Sequence, residues 1–496
     1  MSTKIEKYLH KDMDREAGIK HAYKRTKIVA TVGPACSKYE QLLELVKQGV
    51  NVFRLNFSHV DYTENERIIK DIRMINSTQP YNIAILGDLQ GPKLRVGELI
   101  DGGFDIKAGD EIIFTTQKIM GNISRLYVSY PMLCNDVKVG EKIMLDDGKL
   151  EVVVTEIINQ TDIKIKVILG GKLLQKKGVN LPDSILSMPA ITEKDFKDIE
   201  FILAHNLDWI ALSFVRKPDD IKQLKAILAK ANSKIKVIAK IEMPEAILNL
   251  RDIILESDAI MIARGDLGVE LPIEDVPVVQ KNVIRMCLHR AKPVIVATQM
   301  LESMMTHTKP NRSEVTDIAN AVMEGTDAVM LSGETAMGNY PALAVEMMSK
   351  IIRKVEAEMY DYNKSDILSP QMGSPKFLSD ALCYNAAKIA DDIKADALIG
   401  MTQSGYTGFM LSSYRPKAPL YVFTKERTLV NQLSLSWGVR AFYYTEENSL
   451  DDIITDQIDI LKERGFVKTG DKVVNTGSTP IDKHLPTNML KITVVE

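Results

Sequence analysis

The sequence predicts an α/β protein: a closed (β/α)8 barrel, a small β-barrel lid domain inserted into it, and a compact C-terminal α/β domain. Three observations lead there. Short runs rich in Val, Ile, Ala and Leu recur up to about residue 356, and a longer amphipathic stretch follows most of them. Between the third and fourth runs the pattern changes to period-two alternation with Gly and Asp-Gly turns. Beyond Ala357 a Ser/Pro-rich segment, KSDILSPQMGSPK, leads into a new set of strand and helix patterns.

The eight runs start at Lys27, Val50, Asn82, Leu207, Ile235, Asp258, Lys292 and Thr326. Near-continuous apolar runs bounded by breakers are typical of strands buried on both faces, as in parallel sheets. Helical periodicity is expected over Tyr39–Gln48, Thr63–Met74, Lys194–His205, Pro218–Ala231, Pro244–Leu255, Ile273–Arg290, Arg312–Glu324 and Pro341–Glu356. Eight such alternations favour a barrel of the TIM type over an open doubly wound sheet. The alternating segments DEIIFTT, RLYVSY, EKIMLDDGKLEVVVTEI and TDIKIKVI read as a small antiparallel domain. An insertion that leaves after a barrel strand sits at the C-terminal face, where it can act as a lid. The expected divisions are an N-terminal segment (1–23), the barrel in two parts (24–92 and 190–356), the lid (93–189) and the C-terminal domain (357–496).

Length and composition agree with this plan. A chain of 496 residues is too long for one ordinary core. An apolar fraction of 45% with 26% charged residues is that of a globular protein. A net charge of -3 argues against a nucleic-acid surface or a polybasic membrane anchor. The first residues, MSTKIEKYLHKDMDREAG, lack the apolar stretch of a signal peptide, and no later run is long enough to span a bilayer. The four cysteines lie far apart without a CxxC pair, so reduced thiols in the cytoplasm are expected.

Residues two apart in a strand point the same way. Lys240 and Glu242, in IAKIE, therefore stand side by side near a strand's C-terminal end, and IARGD is expected to bring Asp266 to a similar height on the next strand. Two carboxylates suit Mg2+ or Mn2+, and the lysine suits a developing negative charge. A structural Lys–Glu pair capping the barrel is the alternative, but three charges on adjacent strand ends at the functional face favour a site. Arg54, Asn56 and Ser58 share one face of FRLNFSH, and the planar fork of Arg54 suits a phosphate. Asp88, Lys93 and Arg95 lie at the lid junction; Thr298, Ser332 and Glu334 complete the ring. On spacing alone Thr298 reads as packing. ARGDLG has the wrong glycine spacing for a dinucleotide fingerprint, and no Walker motif is present.

In order, GDLQGPKLR, KGVNLP, IALSFVR, IAKIE, MIARGDLGVE, VIVATQMLESM, NRSEVTDIANAV and MLSGETAMGNYP resemble pyruvate kinase from about Thr26 onward. The resemblance implies transfer of the phosphoryl group of phosphoenolpyruvate to ADP, giving pyruvate and ATP in the last step of glycolysis. It implies Glu242 and Asp266 as Mg2+ ligands, and the backbone of Ala263, Arg264 and Gly265 as the seat of the substrate carboxylate. Lys240 and Arg54 would face the transferred phosphoryl group, and Thr298 would orient a proton donor. Ser332 would border the substrate. Asn56, Arg95, Asp147 and Lys177 would approach the nucleotide. Such chemistry depends on positioning and charge neutralisation more than on covalent steps.

Many family members carry a glutamate where this chain has Lys93, and those members need K+. Asn56, Ser58 and Asp88 match K+-site positions, but Leu89 replaces a threonine ligand. The lysine ammonium can replace the monovalent ion, so activity without K+ is expected. Thr402, Ser404, Gly405 and Thr407, in TQSGYTG, resemble the loop that binds sugar-phosphate effectors. TGSTPIDKHLPTNML lacks the tryptophan–arginine pattern of fructose-1,6-bisphosphate-activated eukaryotic forms, so an ordinary turn remains open. A homotetramer is what the resemblance implies. Two other readings share parts of this pattern. A metal-dependent aldolase or lyase on pyruvate-like substrates would not need the lid, and a catalytically silent metabolite-sensing paralogue would not need all the charges intact.

Overall fold

A computed structural model describes residues 24–358, 370, 376–445, 449–480 and 485–496. The segment before residue 24 and nearly all of the Ser/Pro-rich linker lie outside them. Each of the eight apolar runs contributes one barrel strand. The first three are β1 (Lys27–Thr31), β2 (Val52–Asn56) and β3 (Ala84–Asp88). Strands β4–β11 belong to the insertion: Gly103–Ile106, Glu111–Thr115, Arg125–Tyr127, Lys142–Leu145, Leu150–Ile157, Asp162–Leu169, Gly171–Leu174 and Val179–Asn180. The barrel resumes with β12 (Trp209–Leu212), β13 (Lys236–Ile241), β14 (Ala259–Ala263), β15 (Val294–Ala297) and β16 (Ala328–Leu331). It closes in the order β1-β16-β15-β14-β13-β12-β3-β2.

The helices fall where periodicity places them, with two differences. The stretch expected to be continuous from Pro244 to Leu255 breaks into Pro244–Leu248 and Leu250–Glu256. Asn249 sits between them with φ -101 and ψ 12, and its side-chain amide donates to the carbonyls of Arg216 and Glu245. Asparagine side chains compete in this way with helical backbone bonds. The stretch from Ile273 begins as a 3-10 turn, Ile273–Asp275, before the helix Val276–His289.

Inside the barrel, alternate residues of each strand form one apolar plug: Val29, Val52, Leu86, Trp209, Ala211, Ile238, Met261, Ile295 and Met330 among them. The intervening residues pack outward against the helices. Continuing the inward register past the plug reaches Thr31, Arg54, Asp88, Ser213, Lys240 and Ser332. The period-two geometry of a strand thus carries polar groups to the top of an apolar column.

The insertion folds as a six-stranded sheet, β11-β7-β8-β9-β5-β6, with the separate pair β10-β4. One pair, β5 with β6, runs parallel, against the all-antiparallel expectation. The sheet curls until its two edges meet the segment around Arg95 and Val96. Arg95 bridges Gly178 beside β11, and Val96 bridges Val128 beside β6. The expected small barrel is closed by these two bridges around a core of its own.

The last unit is a five-stranded sheet, β19-β18-β17-β20-β21, built from Ala397–Met401 (β17), Leu420–Thr424 (β18), Val439–Tyr443 (β19), Lys472–Gly477 (β20) and Met489–Val494 (β21). It docks under the barrel. Leu435 joins the barrel plug from below. Asp327 takes an ion pair from Arg415 at 3.1 Å and a hydrogen bond from the Trp437 backbone. Lys27 donates from the barrel floor to the Val439 carbonyl at 2.8 Å. No helix among the described residues is long and apolar enough to cross a membrane.

Burial, with Arg440 nearby, lowers the Lys27 ammonium to about 7, against the opposing influence of Glu356 and Asp327. A depressed folded pKa means stability present above the unfolded value of 10.5 and lost as pH falls through about 7. Lys27→Met should therefore gain thermal stability relative to the parent as pH drops from 10.5 towards 7, with little further change below. Thermal melts across that range check it, and a pH-independent difference would contradict it.

Candidate active site at the mouth of the barrel

Lys240 is the centre of the site. Its ammonium lies 2.8 Å from Glu242, 3.3 Å from Asp88 and 2.7 Å from the Ser213 hydroxyl. Arg54 reaches the other oxygen of Asp88 at 2.6 Å and the Thr31 hydroxyl at 3.0 Å. The result is a chain of alternating charges, Arg54–Asp88–Lys240–Glu242, running across the ends of β2, β3 and β13. Burial alone would lower the Lys240 pKa, but Asp88, Glu242 and Asp266 outweigh it and hold the lysine cationic. Burial would likewise raise Asp88, yet Lys240 and Arg54 keep it below the ordinary carboxylate range.

Glu242 follows β13 directly, and its second oxygen accepts from the Phe214 backbone at 2.7 Å. Asp266 corrects the strand-end expectation. β14 stops at Ala263, where ψ is 81, and the chain turns at once into the helix Arg264–Glu270, so Asp266 stands in that helix's first turn. Burial raises the Glu242 carboxyl, with Asp266 adding to the effect against Lys240. Glu270, at the end of the same helix, is pushed up to about 7 by burial, with Asp266 and Glu242 reinforcing it.

These carboxylates hold more negative charge than their cations balance, and a divalent ion would relieve that excess. No group of three or more His, Cys, Asp or Glu side chains among the described residues forms a metal cage. Mg2+ does not need one, because it takes one or two protein carboxylates and completes its shell with water and substrate oxygens. Glu242 and Asp266 fit that requirement.

Thr298 lies just past β15 in the left-handed region, φ 70, followed by Gln299 at φ 56. Two such residues in a row carry backbone strain of the kind that collects at functional sites. The Thr298 hydroxyl accepts from the Gly265 N–H at 2.8 Å and donates to the Ala297 carbonyl at 2.6 Å. Arg264 turns away from the mouth, to Asp317 at 2.7 Å and the Thr298 carbonyl. The Ser332 hydroxyl is buried with no partner among the described residues, while its backbone N–H donates to Glu334.

A cleft between barrel and inserted sheet is lined by Lys93, Asp147, Asn180, Phe214, Asp266 and Glu270. The other residues expected near a nucleotide have local partners. Lys177 pairs with Asp146 at 2.8 Å, Arg95 donates to the Lys176 carbonyl, and Asn56 accepts from the Ser58 backbone. Nothing in the sequence pattern singles out Phe214, whereas Thr31 and Ser213 continue the inward register of their strands.

In the C-terminal unit, Thr402, Ser404 and Thr407 line a cavity of about 290 Å³ with Lys376, Lys425 and Thr487. Thr402 accepts from the Gly405 N–H at 3.0 Å, and Gly405 adopts φ 89 before the helix Tyr406–Ser413. Part of the later effector loop, residues 481–484, lies outside the described residues.

A family model described as pyruvate kinase, barrel domain, matches residues 23–345, and one described as pyruvate kinase, alpha/beta domain, matches residues 380–493. The chain belongs to the pyruvate kinase family. It is 41% identical over 476 residues to pyruvate kinase 2 of Synechocystis sp., covering 95% of this chain and 80% of that protein. It is 39% identical over 471 residues to pyruvate kinase of Clostridium perfringens, covering 94% and 99%. A crystal structure of a pyruvate kinase from Cryptosporidium parvum superposes with a TM-score of 0.89 at 34% identity, covering 95% of this chain and 96% of that one. Members are phosphotransferases whose substrates and products are phosphoenolpyruvate, ADP, pyruvate and ATP, and the family generally needs a divalent metal such as Mg2+.

Arg54→Met would leave Asp88, which is 1% exposed, with Lys240 alone. Removing one partner from a buried pair costs on the order of 3 kcal/mol. The unfolding midpoint should fall accordingly, and Arg54→Lys should recover only part of the loss, since it lacks the planar fork. A midpoint equal to the parent's in Arg54→Met would show that the ion chain does not hold the strand ends.

Proposed function

We propose that this pyruvate kinase family member binds Mg2+ through Glu242 and Asp266 and needs no K+. The observation that carries the Mg2+ part of the reading is the buried ion chain at the open end of the barrel, with Lys240 2.8 Å from Glu242 and 3.3 Å from Asp88. A divalent ion held by Glu242 and Asp266 would supply Lewis-acid charge to the substrate. Arg54 and Lys240 grip the phosphoryl oxygens and neutralise the charge that builds as the group moves to ADP. Lys240, whose pKa its carboxylate neighbours raise, serves as a fixed charge and leaves proton delivery to another group. Thr298, fixed by Gly265 and Ala297, orients the water that protonates the enolate carbon. The backbone of Ala263–Gly265 and the Ser332 hydroxyl border the substrate.

Lys93, which lines the cleft, would supply the positive charge that a monovalent ion brings elsewhere, in place of a site built from Asn56, Ser58 and Asp88. Asp147 and Lys177 approach the nucleotide from the inserted sheet. Sugar phosphates are proposed to regulate the enzyme through Thr402, Ser404, Gly405 and Thr407, supported by the lysines of that cavity. A cytoplasmic homotetramer, with divisions at residues 92, 189 and 356, completes the reading.

A coupled assay with phosphoenolpyruvate, ADP and Mg2+ tests the activity; no pyruvate formation would defeat it. Lys240→Met should lower kcat by about 10²–10³-fold, the loss expected for one preorganised charge-stabilising group. Chelating the divalent ion should abolish turnover and restoring it should recover turnover. In tetramethylammonium buffer the rate should hold, and a large stimulation by added K+ would contradict the role of Lys93. Titrating sugar phosphates against phosphoenolpyruvate saturation tests the effector loop, and no shift with any of them would make it an ordinary turn.

A further inference from the structure

We propose that Glu270 and Asn180 form a latch that seats the inserted sheet on the barrel, which makes Glu270 a positioning residue for the nucleotide; this rests on the reading that Asp147 and Lys177 meet the nucleotide.

Glu270 is 6% exposed, and among the described residues no lysine or arginine pairs with it. One carboxylate oxygen accepts from the Asn180 side-chain amide at 2.7 Å, and the other is buried without a partner among the described residues. A buried acid with a single amide for company is unfavourable as a structural element. Its one hydrogen bond ties it to the inserted sheet. On the barrel side, Glu270 lies four residues after Asp266 in the helix Arg264–Glu270, so the two share a helix face and line the same cleft.

On the other side, Asn180 belongs to β11, which pairs with β7 (Asn180 with Met144, Val179 with Leu145). β7 runs straight into the turn Asp146–Gly148, and the Asp146 N–H donates back to the Gly178 carbonyl at 3.1 Å. Asp147 and Gly178 lie back to back: a Cβ on Gly178 would stand 3.6 Å from the Asp147 carboxylate. The position of Asn180 therefore sets the position of Asp147.

A second contact falls on the same piece of helix. A Cβ on Gly148 would lie 3.6 Å from Val269, the residue before Glu270. The turn and the latch thus rest on consecutive residues of the helix that carries Asp266. The inserted sheet is registered against the metal-side carboxylate through one short, rigid element.

The test compares Glu270→Ala, Asn180→Ala, the double variant and Glu270→Gln, which keeps an oxygen for the Asn180 amide. Loss of the Glu270–Asn180 hydrogen bond should raise KM for ADP roughly tenfold in each alanine variant, with a smaller effect on KM for phosphoenolpyruvate. The double variant should be no worse than the poorer single one. Glu270→Gln should return KM for ADP to near the parent's. Independently of turnover, hydrogen exchange in the free protein should quicken over residues 142–148 and 178–181 in both alanine variants and not in Glu270→Gln. Unchanged exchange and unchanged KM for ADP in Asn180→Ala would overturn the latch, as would additive effects in the double variant. Equal losses with Glu270→Gln and Glu270→Ala would overturn it in favour of a direct charge role. If the parent turns over no phosphoenolpyruvate, the functional reading fails while the exchange pattern still decides the latch.

Discussion

One ammonium group, that of Lys240, lies between two buried carboxylates at the top of an apolar column, and most of the site follows from keeping it charged there. Each ion in such a place loses its water, and the loss is recovered only when opposite charges and hydrogen bonds are held at close range. Asp88 and Glu242 provide the charges, and Ser213 provides a neutral oxygen. Arg54 then balances Asp88, and Phe214 fixes Glu242 through its backbone. To place these groups, the strand ends must stay in register, which is why a closed barrel with a dry interior suits the task better than an exposed cleft. The same low-polarity surroundings that make the cluster costly make its field strong at the substrate.

Much of this could be read from sequence, and the reason is local. Strand geometry alternates with a period of two, so the pairing of Lys240 with Glu242 and the sharing of a face by Arg54 and Asn56 follow from counting residues, whereas Ser58, expected on that face too, lies past the strand end in the 3-10 turn Phe57–His59. The eight apolar runs gave strands for a different reason, because a short unbroken apolar run between breakers suits a strand buried on both faces. Asp266 shows where counting stops. Whether IARGD ends as a strand or turns into a helix after Ala263 depends on one ψ angle, and the apolar pattern contains no information about it. The break at Asn249 was hidden because the apolar residues around it keep helical spacing while a side-chain amide takes backbone acceptors.

Long-range pairings were harder still. The parallel run of β5 beside β6 and the closure of the inserted sheet through Arg95 and Val96 join segments that resemble ordinary antiparallel strands one at a time. Likewise, Lys177 and Arg95 carry charges suited to a nucleotide, yet in the structure they meet Asp146 and the Lys176 carbonyl. Spacing shows that a charged residue is near the site, and only the fold shows which group it faces. Ser213 and Thr31 mark the opposite case: small hydroxyls in apolar runs look like filler until the neighbouring strand brings an ion against them.

Leu435 packs into the base of the barrel, although it lies more than a hundred residues beyond the last barrel strand. During synthesis the eight strands leave the ribosome well before the residue that closes their floor. Until that residue is made, the floor of the barrel lacks the side chain that covers it. For this chain, finishing the C-terminal sheet is also the last act in assembling the barrel, so premature termination in that sheet would damage a core that is already fully translated.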